Sequence, residues 1–341
     1  MDPILLLEQS FNGLQFGLML FLLAAGLTLV IGIMDMINLA HGSLYMVGAY
    51  LIAAITTATG SYWWGLFFGV IGAGAFGAVL ELSILRHFYQ RDHLSQVLGT
   101  FAILLMCNEG VRLIWGPQPV PLATPDSLAG PVELLPGFFY SSYSLFIIGV
   151  GLLVALLMYV LITRTRLGMQ IRAGAANREM AMAMGVNVQA LFTCVFAVGA
   201  ALCGVAGGML GPVLAVQVGM GESILIVAFV VIVIGGIGSI RGAFLGALLV
   251  GILDTAGRTF MPMLFAKLMS PEAAANAAPA VASILIYLLM ATVLFFKPRG
   301  LFPTPTSARH SPVIRSKRLA SVSIQGPVGR WSAGSAADRT R

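Results

Sequence analysis

Polar side chains are scarce in this chain, so the few that cluster mark where chemistry or recognition would sit. The segment DMINLAHGS places Asp35, Asn38 and His41 at i, i+3 and i+6, then Gly42 and Ser43. In a helix these fall near one face. An Asp and a His so placed could act as a general base and its orienting partner. No G-x-S-x-G, H-E-x-x-H or matching acid cluster accompanies them, which argues against a membrane-embedded enzyme. The same groups between two apolar runs suit a break in a membrane span. Irregular backbone survives at that depth only where protein or water satisfies it. The plainer alternative is an interfacial turn, where such groups cost little.

A second group is glycine-rich: Gly235, Gly236, Gly238, Ser239 and Arg241 in VIGGIGSIRGAFLG. This stretch shares a shape with VIGIMDMINLAHG: an apolar run, Val-Ile-Gly, a break, then a glycine-restarted helix. The glycine spacing differs between the two, so any internal repeat is weak. Paired interruptions in the two halves of a membrane chain nevertheless point to a transport pathway between them.

The third group is TRTRLGMQIRAGAANREMAMAMGVNVQALF, with Arg164 to Val188 standing between two spans. It is longer than a connection needs. Arg172 to Met184 has no proline and is rich in good helix formers apart from Gly174 and Asn177. This predicts one short amphipathic helix, with Met180 and Met184 beside Ala173 and Ala176. Arg172, Arg178 and Glu179 supply its polar flanks. Such a helix suits a groove on a soluble partner; the alternative is a helix lying on the lipid surface.

These groups must be held by membrane helices. The chain has 341 residues, 58% hydrophobic and 9% charged, with a mean hydropathy of +0.94. A soluble domain carries charge on about a quarter of its residues. An all-α, polytopic membrane bundle is the expected fold, with 40 glycines suited to close helix packing. Charge-free runs place spans in Gln9–Met34, twice in Met36–Leu80, in His93–Trp115, in Leu134–Thr163, within Met180–Gly221 and in Ala273–Phe296. Glu222–Gly251 is expected to cross twice, or to enter and return, around its glycine break, giving about eight transmembrane helices. Arg86 and Arg91, the arginines of 164–178, and Lys297 with Arg299 should face the cytoplasm. The N-terminus then lies outside and the C-terminus inside.

The net charge of +6 is accounted for by a Ser/Pro/Gly-containing tail, 303–341, with seven basic residues and one acid, Asp338. It reads as a disordered cytoplasmic tail rather than a nucleic-acid-binding face. Cys107, Cys194 and Cys203 lie in apolar segments without metal-ligand spacing and read as small buried groups. The acidic N-terminus carries no signal-peptide pattern. The expected organisation is a transmembrane unit over 1–302, containing the 164–188 loop, followed by the tail.

EMAMAMG, Glu179 to Gly185, resembles the Glu-Ala-Ala-x-x-x-Gly core by which ABC importer permeases engage their ATPases. Met180 stands for the first Ala, and the downstream Leu-Pro is missing. NLAHGSLYMVGAYL, RAGAANREMAMAMGVN and GGIGSIRGAFLGALLVG, in this order, resemble the permease subunits of branched-chain amino-acid ABC importers over Phe11 to Leu301. The resemblance implies two ATPase subunits, a second similar permease subunit, a periplasmic binding protein and an inner-membrane location, with no cofactor and no chemistry in this chain. It assigns ATPase coupling to Arg172, Arg178, Glu179, Met180, Ala181 and Gly185. It also covers importers of urea, short amides and aromatic or dicarboxylic acids. A self-contained channel or secondary transporter is the other class; it would leave the 164–188 loop without a task.

Overall fold

The computed structural model describes residues 3–34, 36–267 and 270–302. Asp35 and the basic tail lie outside the described residues. Among the described residues the chain forms eleven α-helices and one β-hairpin. Among the described residues eight helices are long and apolar enough to cross a membrane: α1 (Pro3–Met34), α2 (His41–Thr59), α3 (Tyr62–Ser83), α4 (His93–Trp115), α5 (Ser142–Arg164), α8 (Val188–Leu214), α10 (Ile240–Phe265) and α11 (Pro271–Phe296). Between α5 and α8 come two short helices, α6 (Arg166–Ala176) and α7 (Arg178–Ala183). α9 (Met220–Gly235) is apolar but short.

The spans follow the charge-free runs closely, with two differences. Residues 131–141, whose later part was read as the start of the fifth span, form strands β1 (Pro131–Leu135) and β2 (Phe138–Ser141), so that span begins at Ser142. Gly137 takes the left-handed φ of 81° that the turn requires. The hairpin sits over the start of α1, where Tyr140 donates to Asn12 Oδ1 at 2.9 Å and packs on Phe11. The second is Glu81, an acid near the end of α3, which is fully buried. It accepts from Tyr89 at 2.5 Å and Thr193 at 2.6 Å, with Arg86 at 3.7 Å. A carboxylate with several donors can be buried where an unpartnered one could not.

The core is built on α1, α2, α8, α9 and the first half of α10. Glycines let these helices approach to backbone contact, which substitutes for the hydrophobic drive that lipid does not supply. A methyl group on Gly26 would lie 3.0 Å from the Gly199 backbone, and one on Gly48 would lie 2.5 Å from Gly204. α3, α4, α5 and α11 form the outer faces, with exposed apolar side chains such as Leu113, Leu156 and Leu288. At the start of α4 Asp92 caps the helix, accepting from Ser95 N–H and Oγ–H. Those bonds, led by the Ser95 hydroxyl, hold its carboxyl below the usual range.

Contacts between sequence-distant segments gather the Lys/Arg clusters at one end of the bundle. Arg178 reaches the end of α1 at Ile33, Arg86 reaches Thr193 near the start of α8, and Leu301 N–H bonds to Ile234 at the end of α9.

Candidate translocation junction and coupling helices

α1 does not hand over to α2 at its end. The chain leaves α1 at Met34, runs through 36–40 without helix, and starts α2 back inside the bundle. There His41 Nε2 lies 3.2 Å from the carbonyl oxygen of Leu23, and its ring touches Gly26 and Gly199. Leu23 is about 16 Å from the end of α1 at a helical rise of 1.5 Å per residue. This inner leg is held by side chains: Leu39 N–H donates to Thr100 Oγ1 at 3.2 Å, and Ser43 Oγ donates to the Ala40 carbonyl at 2.7 Å.

α8 and α9 repeat the manoeuvre from the other end. α8 runs alongside α2 in the same direction, with Gly199 near His41, Gly204 near Gly48 and Gly208 near Ile52. It ends at Leu214, and 215–219 then turn back so that α9 starts against the start of α2. A methyl group on Gly42 would stand 2.5 Å from the Gly221 carbonyl oxygen, and one on Gly221 would be closer still to that of Gly42. The two helix N-termini therefore meet head to head. This outer leg is held by backbone: Val216 and Val120 exchange both hydrogen bonds, at 2.8 and 3.2 Å. Ala215 adopts φ 60° and ψ 152°, a conformation almost reserved for glycine.

The first group of candidate residues converges on this junction. Asn38 is fully buried and its side chain has no hydrogen-bond partner among the described residues. His41 is fully buried too, with Cys203 Sγ 3.1 Å from its Nε2. Because the Leu23 carbonyl can only accept, its bond to His41 places a ring proton on Nε2. Gly42 makes the head-to-head contact and Ser43 closes the first turn of α2. Beside them on α4 and α9, Asn108 Nδ2 donates to Glu222 Oε1, with Glu222 and Ser223 exposed. Sequence reasoning missed Thr100, Asn108, Cys203 and Glu222. The visible signal for the outer leg was a polar, glycine-flanked interruption, AVQVGMGES, between two apolar runs.

The glycine group lies elsewhere, in the hairpin between α9 and α10. Gly235 packs backbone to backbone on Gly242, Gly236 and Gly238 take φ of 103° and 80°, and Ser239 Oγ accepts from Gly242 N–H at 3.1 Å. Arg241 stands over the Tyr159 ring at 5.7 Å. After α11 the chain crosses beneath, where Leu301 and Phe302 N–H groups bond to the Ile234 and Gly235 carbonyls and cap α9. Among the described residues the two sequence stretches come together where Gly238 meets Gly32 near the end of α1. The structural counterpart of the 36–40 leg is the 215–219 leg, not this hairpin.

The loop after α5 departs from the single helix expected over Arg172–Met184. It breaks at Asn177, whose extended backbone ends α6 and whose Oδ1 accepts from Met180 N–H to start α7. Gly185, at φ 83°, ends α7 in a Schellman turn: its N–H bonds to Met182 and that of Val186 to Ala181. Glu179, Met180, Met182 and Met184 are exposed, with Met184 at 79%. Ala181 is buried against the bundle. Arg172 folds back onto the Ile162 carbonyl of α5, and Arg178 turns inward. Among the described residues no group of three His, Cys, Asp or Glu could hold a metal.

The family model for the branched-chain amino acid transport system permease component matches residues 9–294. The chain belongs to that permease family. Among curated relatives, the Pseudomonas aeruginosa high-affinity branched-chain amino acid transport system permease protein BraD is 29% identical over 313 residues, 88% of this chain and 96% of its own length. LivH of the same description from Escherichia coli K12 is 28% identical over 318 residues, again 88% and 96%. The probable branched-chain amino acid permease LivH of Methanocaldococcus jannaschii is 27% identical over 249 residues, 70% of this chain and 76% of its own. No solved structure matches. The permease is thus a multi-pass inner-membrane transport subunit whose eight spanning helices and head-to-head junction are the machinery to be explained.

Proposed function

We propose that this permease carries branched-chain amino acids received from a periplasmic binding protein, driven by two separate ATP-binding-cassette ATPases and working beside a second, similar permease subunit. The N-terminus faces the periplasm and the end carrying α6, α7 and the basic clusters faces the cytoplasm, in keeping with the distribution of Lys and Arg. The pathway passes the junction of α2 and α9, beside Asn38, Asn108 and Glu222. Hydrolysis belongs to the ATPases, and this chain performs no bond chemistry.

The observation that carries this reading is the outward face of α7. Met180 and Met182 on a six-residue helix, and Met184 at its C-cap, stand exposed, the helix tied down at both ends by the Asn177 cap and the Gly185 turn. Flexible, polarisable methionines suit a surface that seats in a partner's groove, and loose methionines in water serve no folding purpose. The test is ATP-dependent uptake of labelled leucine by the complete importer in proteoliposomes. Met182→Glu with Met184→Glu should lower co-purifying ATPase and uptake about tenfold or more, while membrane insertion is unchanged because neither side chain is buried. Full uptake by that double variant would sink the reading.

A further inference from the structure

We propose that Arg178 is a positioning residue that ties the docking helix to the end of α1, so that motion of α6–α7 is delivered to the inner leg and the α2–α9 junction. The proposal rests on the reading of α6–α7 as the ATPase-docking element. Arg178 opens α7, yet its guanidinium points away from the exposed methionines. Nε and Nη2 donate to the Ile33 carbonyl oxygen at 3.1 and 2.8 Å, and the guanidinium carbon lies 5.3 Å from the centre of the Phe192 ring on α8. Ile33 is the penultimate residue of α1, in the turn whose carbonyls have no helical partner. A permanent positive charge there also complements the negative end of the helix dipole.

The other arginine of the loop makes a useful contrast. Arg172 bonds to the Ile162 carbonyl of α5, the helix that runs almost directly into α6, so this bond joins neighbours in the chain. The bond of Arg178 joins segments 145 positions apart. It is reinforced where Gly174 of α6 packs against Ile33 and Leu191. Beyond Ile33 the chain enters the 36–40 leg, which Thr100 holds at Leu39, and then reaches Gly42, pressed against Gly221. A continuous set of contacts therefore runs from α7 to the junction. A guanidinium can grip one carbonyl through two nitrogens while covering an aromatic face, which an ammonium cannot.

The experiment uses the complete importer in proteoliposomes, with uptake and ATP hydrolysis measured on the same preparation and co-purifying ATPase quantified. Arg178→Met should keep ATPase association and hydrolysis within about twofold and lower leucine uptake per ATP about tenfold, with Arg178→Lys recovering only in part, to about threefold below the parent. An unchanged uptake per ATP in Arg178→Met would overturn the proposal. So would a fall in uptake matched by an equal loss of bound ATPase, which would make Arg178 part of the docking surface alone. If Arg178→Met does not reach the membrane, Arg178→Lys decides, because wild-type coupling in that variant refutes a role for the two-nitrogen grip. Failure of the parent chain to retain any ATPase would instead strike the docking reading itself.

Discussion

The units α1–leg–α2 and α8–leg–α9 do the same thing from opposite ends of the bundle and hold the result in different ways. Each takes a long helix to one surface, sends the chain back through a few non-helical residues, and starts a shorter helix inside. The inner leg is fastened by side chains, Thr100 to Leu39 and His41 to Leu23, and Met36, Asn38 and Ala40 are buried. The outer leg is fastened by a backbone bridge to Val120, carries the strained Ala215, and leaves Gln217 exposed. An inverted pair need not be energetically symmetric. The inner side is a packed plug, whereas the outer side is a shallower latch holding backbone strain.

Three tests break or sharpen that contrast. The largest effect is expected at the shared contact. Gly42→Leu or Gly221→Leu forces a side chain into backbone and should cost about 3 kcal/mol or more, read as a lowered Tm of the purified protein and loss of uptake. Tolerance of leucine at either position would mean the two helix starts do not meet. Next, Thr100→Val leaves Leu39 N–H inside the protein without its acceptor and should destabilise by about 1–3 kcal/mol. Hydrogen–deuterium exchange should then rise over 36–43 and stay unchanged over 215–221; equal rises would erase the distinction between the legs. The smallest effect is favourable: Ala215→Gly relieves the backbone strain and should stabilise by about 1 kcal/mol. A lowered Tm would show that Ala215 is not strained.

Most of the bundle could be read from residue types. Runs without charge set the spans within a few residues, and Glu109–Arg112 and Asp254–Arg258, spaced i, i+3 and i, i+4, form ion pairs at 3.7 and 2.9 Å. The break at 235–242 was also visible, because four glycines and a capping serine interrupt a long apolar run. The interruption at 215–223 was visible as well, but its return into the bundle was not. Gly211 to Glu222 reads as an ordinary loop, since nothing local distinguishes a loop that leaves the bundle from one that returns into it. Glu81 and Arg178 mislead for a related reason: a charged residue near a span end looks solvent-facing until its partners, Tyr89 and Thr193 or Ile33 and Phe192, arrive from elsewhere.

Composition and patterning alone settle that this chain is a helical membrane protein, roughly where it crosses, and that a capped helical excursion stands between α5 and α8. Those properties depend on hydrophobicity summed over twenty residues and on caps three residues apart, both local quantities. The meeting of Gly42 with Gly221, the pairing of the two legs and the reach of Arg178 to Ile33 are decided by packing. Each joins residues more than a hundred positions apart and has a backbone surface on at least one side, which carries no side-chain signature of its own.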